Sequence, residues 1–230
     1  MPTSSRHHCD VSARCSISFF KFRAYPDPDE LRYTRRSTAL PKMNGLERLF
    51  CSSSCWRYLS RRAVLPWILS GSRLGDHILE IGAGYGAATR YLGERVARVS
   101  SLEFDLRSLA KLKKNNNGMP SDALCGNASQ LPFADQSFSS AVAILVLHHL
   151  KSQELQDMAF AEAFRVLRPG GVFLAFEILE SWIHHVGHIG STYTPVGPGS
   201  SFARLSKSGF SRTTVDFRLG VFRIAAHRPV

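Results

Sequence analysis

Long apolar runs, a secretory signal and a regular cysteine pattern are all missing from this chain of 230 residues. The longest uninterrupted apolar run covers residues 141–147 and is seven residues long, whereas a membrane-spanning helix needs about 20. No compact apolar stretch follows a basic start at the N-terminus, and the five cysteines stand at unrelated spacings. We therefore expect no membrane span and a reducing, cytoplasmic environment.

Acidic side chains are also scarce: 18 Asp and Glu oppose 29 Lys and Arg, which gives a formal net charge of +11. Such a surplus attracts anionic partners through a salt-screened field. Residues 1–42 carry eight basic and four acidic side chains, so they hold +4 of the surplus and the rest of the chain holds +7. Because the charge is spread along the chain, a generally basic surface is favoured over a nucleic-acid groove, although charge alone does not exclude nucleic acid.

The chain divides into an irregular leader and a regular body. Residues 1–42 mix Ser, Arg, Pro and His without a sustained period of 2 or 3.6, which predicts a disordered segment. Residues 43–76 contain helical patterns and are expected to form an N-terminal helical cap. Residues 77–230 are expected to form one core domain.

The cap begins with a helix-start signal. Asn44 and Glu47 are spaced as an N-cap residue and its partner at N3. The apolar residues of the helix share one face and are Leu46, Leu49 and Phe50. This signal suggests the hypothesis that the functional chain begins at Met43. A second short helix is expected within residues 61–69, with Pro66 limiting its length.

The body alternates short β-rich runs with helical runs. Strands are predicted at residues 77–81, 98–104, 123–126, 139–144 and 172–177, and helices at residues 87–95, 106–116 and 153–167. Such alternation predicts a parallel sheet that is covered on both faces. Two further strands, at 212–217 and 221–226, are joined by a tight turn at Leu219 and Gly220 and are expected to pair antiparallel.

A glycine-rich loop, Gly82-Ala83-Gly84-Tyr85-Gly86, joins the first strand to the first helix of the body. Glycines permit close approach of a ligand to the backbone, and the following helix presents free N–H groups. Glu103 ends the second strand, 19 residues after Gly84, where a carboxylate can accept hydrogen bonds from both hydroxyls of a ribose. These features alone fit a dinucleotide as well as other adenosine cofactors.

Six stretches of sequence, taken together, distinguish between a dinucleotide and another adenosine cofactor. They read ILEIGAGYG, LEFD, GNASQLPF, SF, VLHHL and EAFRVLRPGG, and they begin at residues 78, 102, 126, 137, 146 and 162. In this order the chain resembles the class I S-adenosylmethionine-dependent methyltransferases, in particular the small ubiquinone/menaquinone-methyltransferase-like (methyltransferase type 11) group. The resemblance implies a Rossmann-like, doubly wound, mostly parallel seven-stranded sheet with an antiparallel last strand, and S-adenosyl-L-methionine as the cofactor.

The resemblance also implies a cofactor site. The methionine part of the cofactor would lie against Glu80, Gly82, Gly84 and Gly86. Glu103 would hold the ribose, and Phe104 would flank the adenine. Asn127 and the backbone of Ala128 would meet the adenine edge, and Leu145 would line the pocket near the sulfonium.

One of these positions departs from the family, which usually has an acid where this chain has Asn127. An amide oxygen can still accept a hydrogen bond from the adenine amino group. Because that bond is neutral rather than charge-assisted, we expect the cofactor to bind more weakly.

The chemistry that the resemblance implies needs little from the protein beyond alignment of acceptor, methyl and sulfur. A base is needed only where the acceptor must lose a proton, and His148 is the candidate catalytic residue, with His149 beside it. A structural role for both histidines remains open.

No metal site is expected from the sequence. A second histidine cluster contains His184, His185 and His188. Its spacing could place two imidazoles on one helix face, but Gly187 and Gly190 argue against a helix, so a loop or lid is expected. Cys51 and Cys55 could also share a face, but no second pair of ligands follows them at zinc-site spacing.

The acceptor is expected to be a small, partly apolar molecule that is methylated on carbon or oxygen. Superfamily members that methylate exocyclic amines often carry Asn or Asp, Pro-Pro and an aromatic residue after the fourth strand, and this chain has apolar residues at 144–147. Three alternatives stay open. The protein could be a non-catalytic methyltransferase-like binding module, an RNA methyltransferase on the ground of charge alone, or an NAD(P)-dependent oxidoreductase, although it lacks a Tyr-x-x-x-Lys pair.

Overall fold

The computed structural model describes residues 43–115 and 121–230. The leader at residues 1–42 lies outside the described residues. The helices are α1 (Gly45–Ser52), α2 (Ser54–Leu59), α3 (Leu65–Leu69), α4 (Thr89–Gly93), α5 (Leu106–Asn115), α6 (Gln153–Val166), α7 (Trp182–Gly187) and α8 (Pro198–Lys207). The strands are β1 (His77–Ile81), β2 (Arg98–Glu103), β3 (Ser121–Cys125), β4 (Phe138–Ile144), β5 (Leu167–Ile178), β6 (Ser211–Arg218) and β7 (Val221–His227).

The seven strands form one sheet in the order β3-β2-β1-β4-β5-β7-β6. Neighbouring strands from β3 to β5 pair in parallel, and β7 pairs antiparallel with both β5 and β6. The predicted mostly parallel, seven-stranded sheet with an antiparallel last strand is confirmed. The predicted hairpin is also present, and both of its turn residues, Leu219 and Gly220, have positive φ, as a type I′ turn requires.

Both faces of the sheet are covered, because alternate residues of each strand point to opposite sides. On one face, Leu79 and Ile81 of β1 pack in a cluster with Phe160 of α6. On the other face, Ile78 packs in a cluster with Leu65 of α3. The cap helices thus form part of a second core layer beneath the sheet.

The helical part of the cap is longer than predicted. It runs through α2, a π-helical turn at Ser60–Val64 and α3. Pro66 does not limit it, because this residue closely follows the π-helical turn, and such turns are local irregularities within a continuing helix. Every helix within residues 43–115 and 121–230 falls short of the length and apolar content that a membrane crossing needs.

The helix-start signal at Asn44 and Glu47 is confirmed. The Asn44 side chain accepts from Glu47 N at 2.9 Å, and Glu47 Oε2 accepts from Asn44 N at 2.7 Å. The apolar face of α1 is exposed, however, by 65% at Leu46 and 68% at Leu49. This helix is therefore held by its polar end rather than by burial of that face.

Candidate functional site

The carboxyl ends of the parallel strands meet at one edge of the sheet, which we call the carboxyl edge. β1 ends there at Ile81, β2 at Glu103 and β4 at Ile144. In open α/β sheets, ligands bind in the crevice outside this edge. The residues predicted to bind the cofactor lie at this edge: Glu80 is the last residue but one of β1, Glu103 ends β2, and the others follow β1, β2, β3 or β4.

The glycine loop is tied to the end of β2. The backbone N–H groups of Gly82 and Ala83 both donate to the carbonyl of Leu102, at 2.8 and 3.0 Å. Gly82, Gly84 and Gly86 have φ values of 72°, 55° and 85°, a region that side chains disfavour. The loop conformation thus depends on glycine at these three positions.

Two of these glycines serve different purposes. A Cβ on Gly82 would lie 2.3 Å from Cγ2 of Val146, so this glycine makes room for the residue that follows β4. A Cβ on Gly84 would meet no atom of residues 43–115 or 121–230 within 4 Å. The backbone at Gly84 is therefore bare on the side where a ligand can approach.

Glu103 joins the glycine loop directly. Its Oε2 accepts from the N–H of Gly84 at 2.7 Å, and its Oε1 accepts from the N–H of Asp105 at 2.8 Å. Burial raises the pKa of the carboxyl, and the two N–H donors partly oppose this shift. An ionised carboxylate has about four acceptor positions, so two remain for the hydroxyls of a ribose.

Glu80 is buried and already partnered. Its Oε2 accepts from the hydroxyls of Thr89 and Ser101, at 2.6 and 2.7 Å. Burial raises its pKa to about 7, although the two hydroxyl donors lower it. The carboxyl group bridges β1 to β2 and to α4, and a direct contact between Glu80 and a cofactor stays a prediction.

Asn127 makes a tight local turn. Its Oδ1 accepts from both the N–H and the hydroxyl of Ser129, at 3.0 and 2.9 Å. Both lone pairs of this oxygen are then in use. Ser129 therefore competes with the adenine amino group for the hydrogen bonds that this oxygen can accept. Ala128 beside it is buried, and Phe104 is half-buried.

Leu145 stands at a strained point after β4. It has φ +53°, and its N–H donates to the carbonyl of Phe176 at 2.8 Å. A non-glycine residue in this region costs free energy and is often found near functional sites. Leu145 is half-buried and directly precedes Val146, which covers Gly82.

His148 forms a buried pair with Glu177 of β5. Its Nδ1 lies 2.5 Å from Glu177 Oε2, and Glu177 Oε1 accepts from the N–H groups of Val146 and Leu147 at 3.1 and 2.8 Å. Because a carboxylate only accepts, Nδ1 of His148 is the donor in this contact, and the neutral ring has its lone pair on Nε2. Glu177 thus orients both the histidine and the turn that precedes it.

The segment after β5 contains a helix, contrary to the prediction of a loop. α7 spans Trp182–Gly187, and the side chain of Ser181 caps it. Gly187 is the last residue of α7, so it ends the helix rather than preventing it. Of the three histidines predicted to cluster here, His188 lies with His148 and His149 instead, whereas His184 and His185 face Leu179 and Glu180.

The cap reaches across to the carboxyl edge. Asn44 Nδ2 donates to the carbonyl of Gly187 at 2.7 Å, and Ser191 Oγ donates to Glu47 Oε1 at 2.6 Å. Burial raises the pKa of the Cys51 thiol to about 11, and the carboxylates of Glu47 and Glu103 add to the shift. α1 therefore lies near both Glu103 and the segment after α7.

Residues 79–175 match the family model described as a methyltransferase domain. They contain the end of β1, the glycine loop, Glu103 and the turn after β4, which are parts of the site described above. Over these residues, which are less than half of the chain, the protein is similar to methyltransferase domains.

Curated relatives of the methyltransferase domain are similar over part of their length. The chain is 32% identical over 108 residues to 24-methylenesterol C-methyltransferase 2 of Oryza sativa subsp. japonica, covering 45% of this chain and 29% of that protein. It is 31% identical over 124 residues to the ubiquinone/menaquinone biosynthesis C-methyltransferase UbiE of Bartonella bacilliformis, covering 51% and 46%. The chain thus spans less than half the length of these relatives.

Solved structures share the fold of the methyltransferase domain. The PH0226 protein of Pyrococcus horikoshii OT3 has a TM-score of 0.68 and 14% identity, with 80% of this chain and 96% of that chain covered. A SAM-dependent methyltransferase of Methanosarcina mazei has a TM-score of 0.59 and 20% identity, with 72% and 98% covered. The Rossmann-like class of the domain is therefore established.

Sequence reasoning missed the contacts that three polar residues make at the candidate site. Glu177 was detectable as an acid within a predicted buried strand, which requires a partner. Ser129 lies two residues after Asn127, the spacing of an Asx turn. Glu47 was predicted as a capping residue, but its contact with the segment after α7 has no signal in the sequence.

Proposed function

We propose that this protein transfers the methyl group of S-adenosyl-L-methionine to a small, partly apolar acceptor, on carbon or oxygen. The single observation that carries the proposal is the contact between Glu103 and the backbone of Gly84. It places a carboxylate with free acceptor positions beside bare backbone at the carboxyl edge, which suits an adenosine with a charged tail.

The residues present fit this cofactor. Glu103 would hold the ribose hydroxyls, and Gly84 leaves open space for the methionine part next to it. Phe104, Asn127 and Ala128 follow β2 and β3 at the same edge. Gly82, Gly86 and Leu145 shape the loop and the turn around the cofactor, and Glu80 supports the loop from β1.

The cofactor supplies a methyl group that is already activated by its sulfonium. The chain would orient the acceptor in line with that methyl and exclude water. His148 is the proposed base where an acceptor hydroxyl must lose its proton, because Glu177 holds its Nδ1–H and leaves Nε2 free to accept. Apolar side chains at residues 144–147 favour an acceptor with an apolar part.

The names of two relatives support carbon as the methylated atom, since both are described as C-methyltransferases. The engaged oxygen of Asn127 favours a second candidate, a domain that binds the cofactor weakly without turnover. A cytoplasmic location is part of the proposal and rests on the irregular cysteine spacing.

Calorimetric titration with S-adenosylmethionine, S-adenosylhomocysteine, NAD⁺ and NADP⁺ tests the cofactor. We expect the first two to bind, and Glu103→Ala to weaken them at least tenfold, because it removes the ribose acceptor. Glu94→Ala, at an exposed carboxylate paired with Arg61, is the matched control and should bind as the wild type does. Binding of NAD(P) alone would contradict the proposal.

Turnover against a panel of quinol, phenol and lipid acceptors separates an enzyme from a binding module. Methylation of any member supports the proposed activity, and cofactor binding without methylation favours the module. Tight RNA binding with a steep dependence on salt would instead favour RNA methylation.

A further inference from the structure

Three histidines from two separate segments meet at the carboxyl edge. His148 and His149 follow β4, and His188 follows α7. One ring nitrogen of each lies within 4.8 Å of those of the other two. The ring centroid of His148 is 4.2 Å from that of His149 and 5.3 Å from that of His188.

The Nδ1 atom of each ring faces an oxygen that can only accept a hydrogen bond. The three contacts are His148 Nδ1 to Glu177 Oε2 (2.5 Å), His149 Nδ1 to the carbonyl of Thr192 (3.1 Å) and His188 Nδ1 to the carbonyl of His184 (2.6 Å). Each Nδ1 is therefore the donor in its contact, and a neutral ring in this orientation has its lone pair on Nε2. Histidines that bind metals are commonly held in the same way. The oxygen that accepts from the N–H of the other ring nitrogen fixes the tautomer and the orientation of the ring.

A carboxylate lies beside one of these lone pairs. Glu47 Oε1 is 3.2 Å from His188 Nε2, and the two side chains are only 10% and 11% exposed. Two ligand atoms on one tetrahedral ion, each with a bond of about 2.0–2.1 Å, are about 3.3 Å apart. A shared cation would satisfy both atoms, whose lone pairs otherwise face each other.

The Glu47 carboxylate is itself oriented by two donors. Ser191 Oγ donates to Oε1 at 2.6 Å, and the N–H of Asn44 donates to Oε2 at 2.7 Å. The ring of Tyr193 stacks on His188 with a centroid distance of 4.4 Å. Its hydroxyl is buried without a hydrogen-bond partner in the part of the chain that the structure describes. The cluster thus lies beside a carboxylate held in place by hydrogen bonds and beside a buried hydroxyl that has no partner among the described residues.

We propose that His148, His149 and His188, through Nε2, and Glu47, through Oε1, bind one divalent transition-metal ion of the Zn²⁺ type. Imidazole and carboxylate ligands suit this ion, and four of them complete a tetrahedron. In such a tetrahedron the ligand atoms would lie about 3.3 Å from one another.

The ion would join three segments that are distant in sequence: α1, the turn after β4 and the segment after α7. It would thereby fix the cap over the carboxyl edge. A metal-bound Nε2 has no lone pair for a proton, so this site and the base role of His148 exclude each other. The inference goes beyond the proposed methyl transfer and does not depend on it.

The test titrates the full-length, chelator-treated protein with Zn²⁺ against a chromophoric chelator, and repeats it with Co²⁺, whose visible absorption reports tetrahedral coordination. We expect one equivalent of Zn²⁺ per chain. His188→Gln and His149→Gln should each weaken binding at least tenfold, and Glu47→Gln should also weaken it while preserving the helix cap. His185→Gln is the matched control, because His185 is exposed and pairs with Glu180; it should bind as the wild type does.

Lack of stoichiometric binding, or equal binding by the wild type and His188→Gln, would overturn the proposal. Circular dichroism in the presence of chelator checks that each variant folds. If His149→Gln does not fold, His188→Gln and Glu47→Gln decide the question. Calorimetry with S-adenosylhomocysteine on the same samples reports the cofactor site separately, so failure of the metal site is distinguishable from failure of the proposed function.

Discussion

At the scale of single residues, Asn127 is the position where a small chemical difference has a measurable consequence. Its side-chain oxygen accepts two hydrogen bonds from Ser129. A carboxylate at the same place would offer about four acceptor positions and a negative charge. It could keep both bonds to Ser129 and still accept from an adenine amino group.

Asn127→Asp is therefore expected to raise the affinity for S-adenosylhomocysteine about three- to tenfold, because a charge-assisted hydrogen bond is stronger than a neutral one. Isothermal titration calorimetry measures the change. Asn127→Ala removes the turn as well as the amide and should bind more weakly than the wild type. Equal affinity of the Asp variant and the wild type would show that residue 127 does not meet the adenine.

At the scale of elements, the glycine loop shows how one strand end fits against another. The loop is bonded to Leu102 at the end of β2 and covered by Val146 after β4. Gly82 serves this packing, whereas Gly84 leaves the backbone open toward Glu103. The two positions therefore predict different responses to the same substitution.

Gly82→Ala should lower the free energy of unfolding by about 2–4 kcal/mol, since its Cβ overlaps Val146 and its positive φ disfavours alanine. Gly84→Ala should lower the free energy of unfolding by about 1 kcal/mol, because alanine disfavours the positive φ but its Cβ meets no other atom of the described residues. Urea denaturation measures both values. Gly84→Ala should nevertheless weaken cofactor binding, and equal stability losses in the two variants would contradict this division of roles.

At the scale of the whole molecule, the buried carboxyl of Glu80 couples stability to pH. Its pKa rises from an ordinary value of 4.5 to about 7 on folding, mainly through burial. The folded protein then binds more protons than the unfolded chain between these values. The contribution of this group to the free energy of unfolding is therefore fully present below about pH 4.5, and it is lost as the pH rises to about 7.

Glu80→Gln removes this titration and keeps an oxygen for the hydroxyls of Thr89 and Ser101. The stability of the wild type relative to this variant should fall between pH 4.5 and 7 by on the order of 3 kcal/mol. Urea denaturation of both proteins across this range measures it. A constant difference would mean that Glu80 has the same pKa in the folded and unfolded states.

Much of the fold was predictable from local patterns. The strand β1 at His77–Ile81 and the hairpin of β6 and β7 follow from apolar runs and turn residues, because these signals act over a few neighbouring residues. The helix α7 was not predicted, because the sequence pattern around Gly187 favours a loop. In the structure the side chain of Ser181 caps the start of this helix, and Gly187 is its last residue. Glu103 and the loop at Gly82–Gly86 were also identifiable, because their spacing places them at two adjacent strand ends.

The amino-acid order alone indicated most of the strands, the glycine loop and the acid at the end of β2, since each depends on residues close together in the chain; the seven-stranded arrangement was implied by the family resemblance. Only the tertiary structure decided that Ser129 donates hydrogen bonds to the side-chain oxygen of Asn127 and that Glu177 orients His148. It also decided that His188 and Glu47 lie beside the turn after β4. The last of these contacts joins segments separated by more than 100 residues. Their geometry is set by packing of the cap and the post-β5 segment over the sheet, which no short-range pattern encodes.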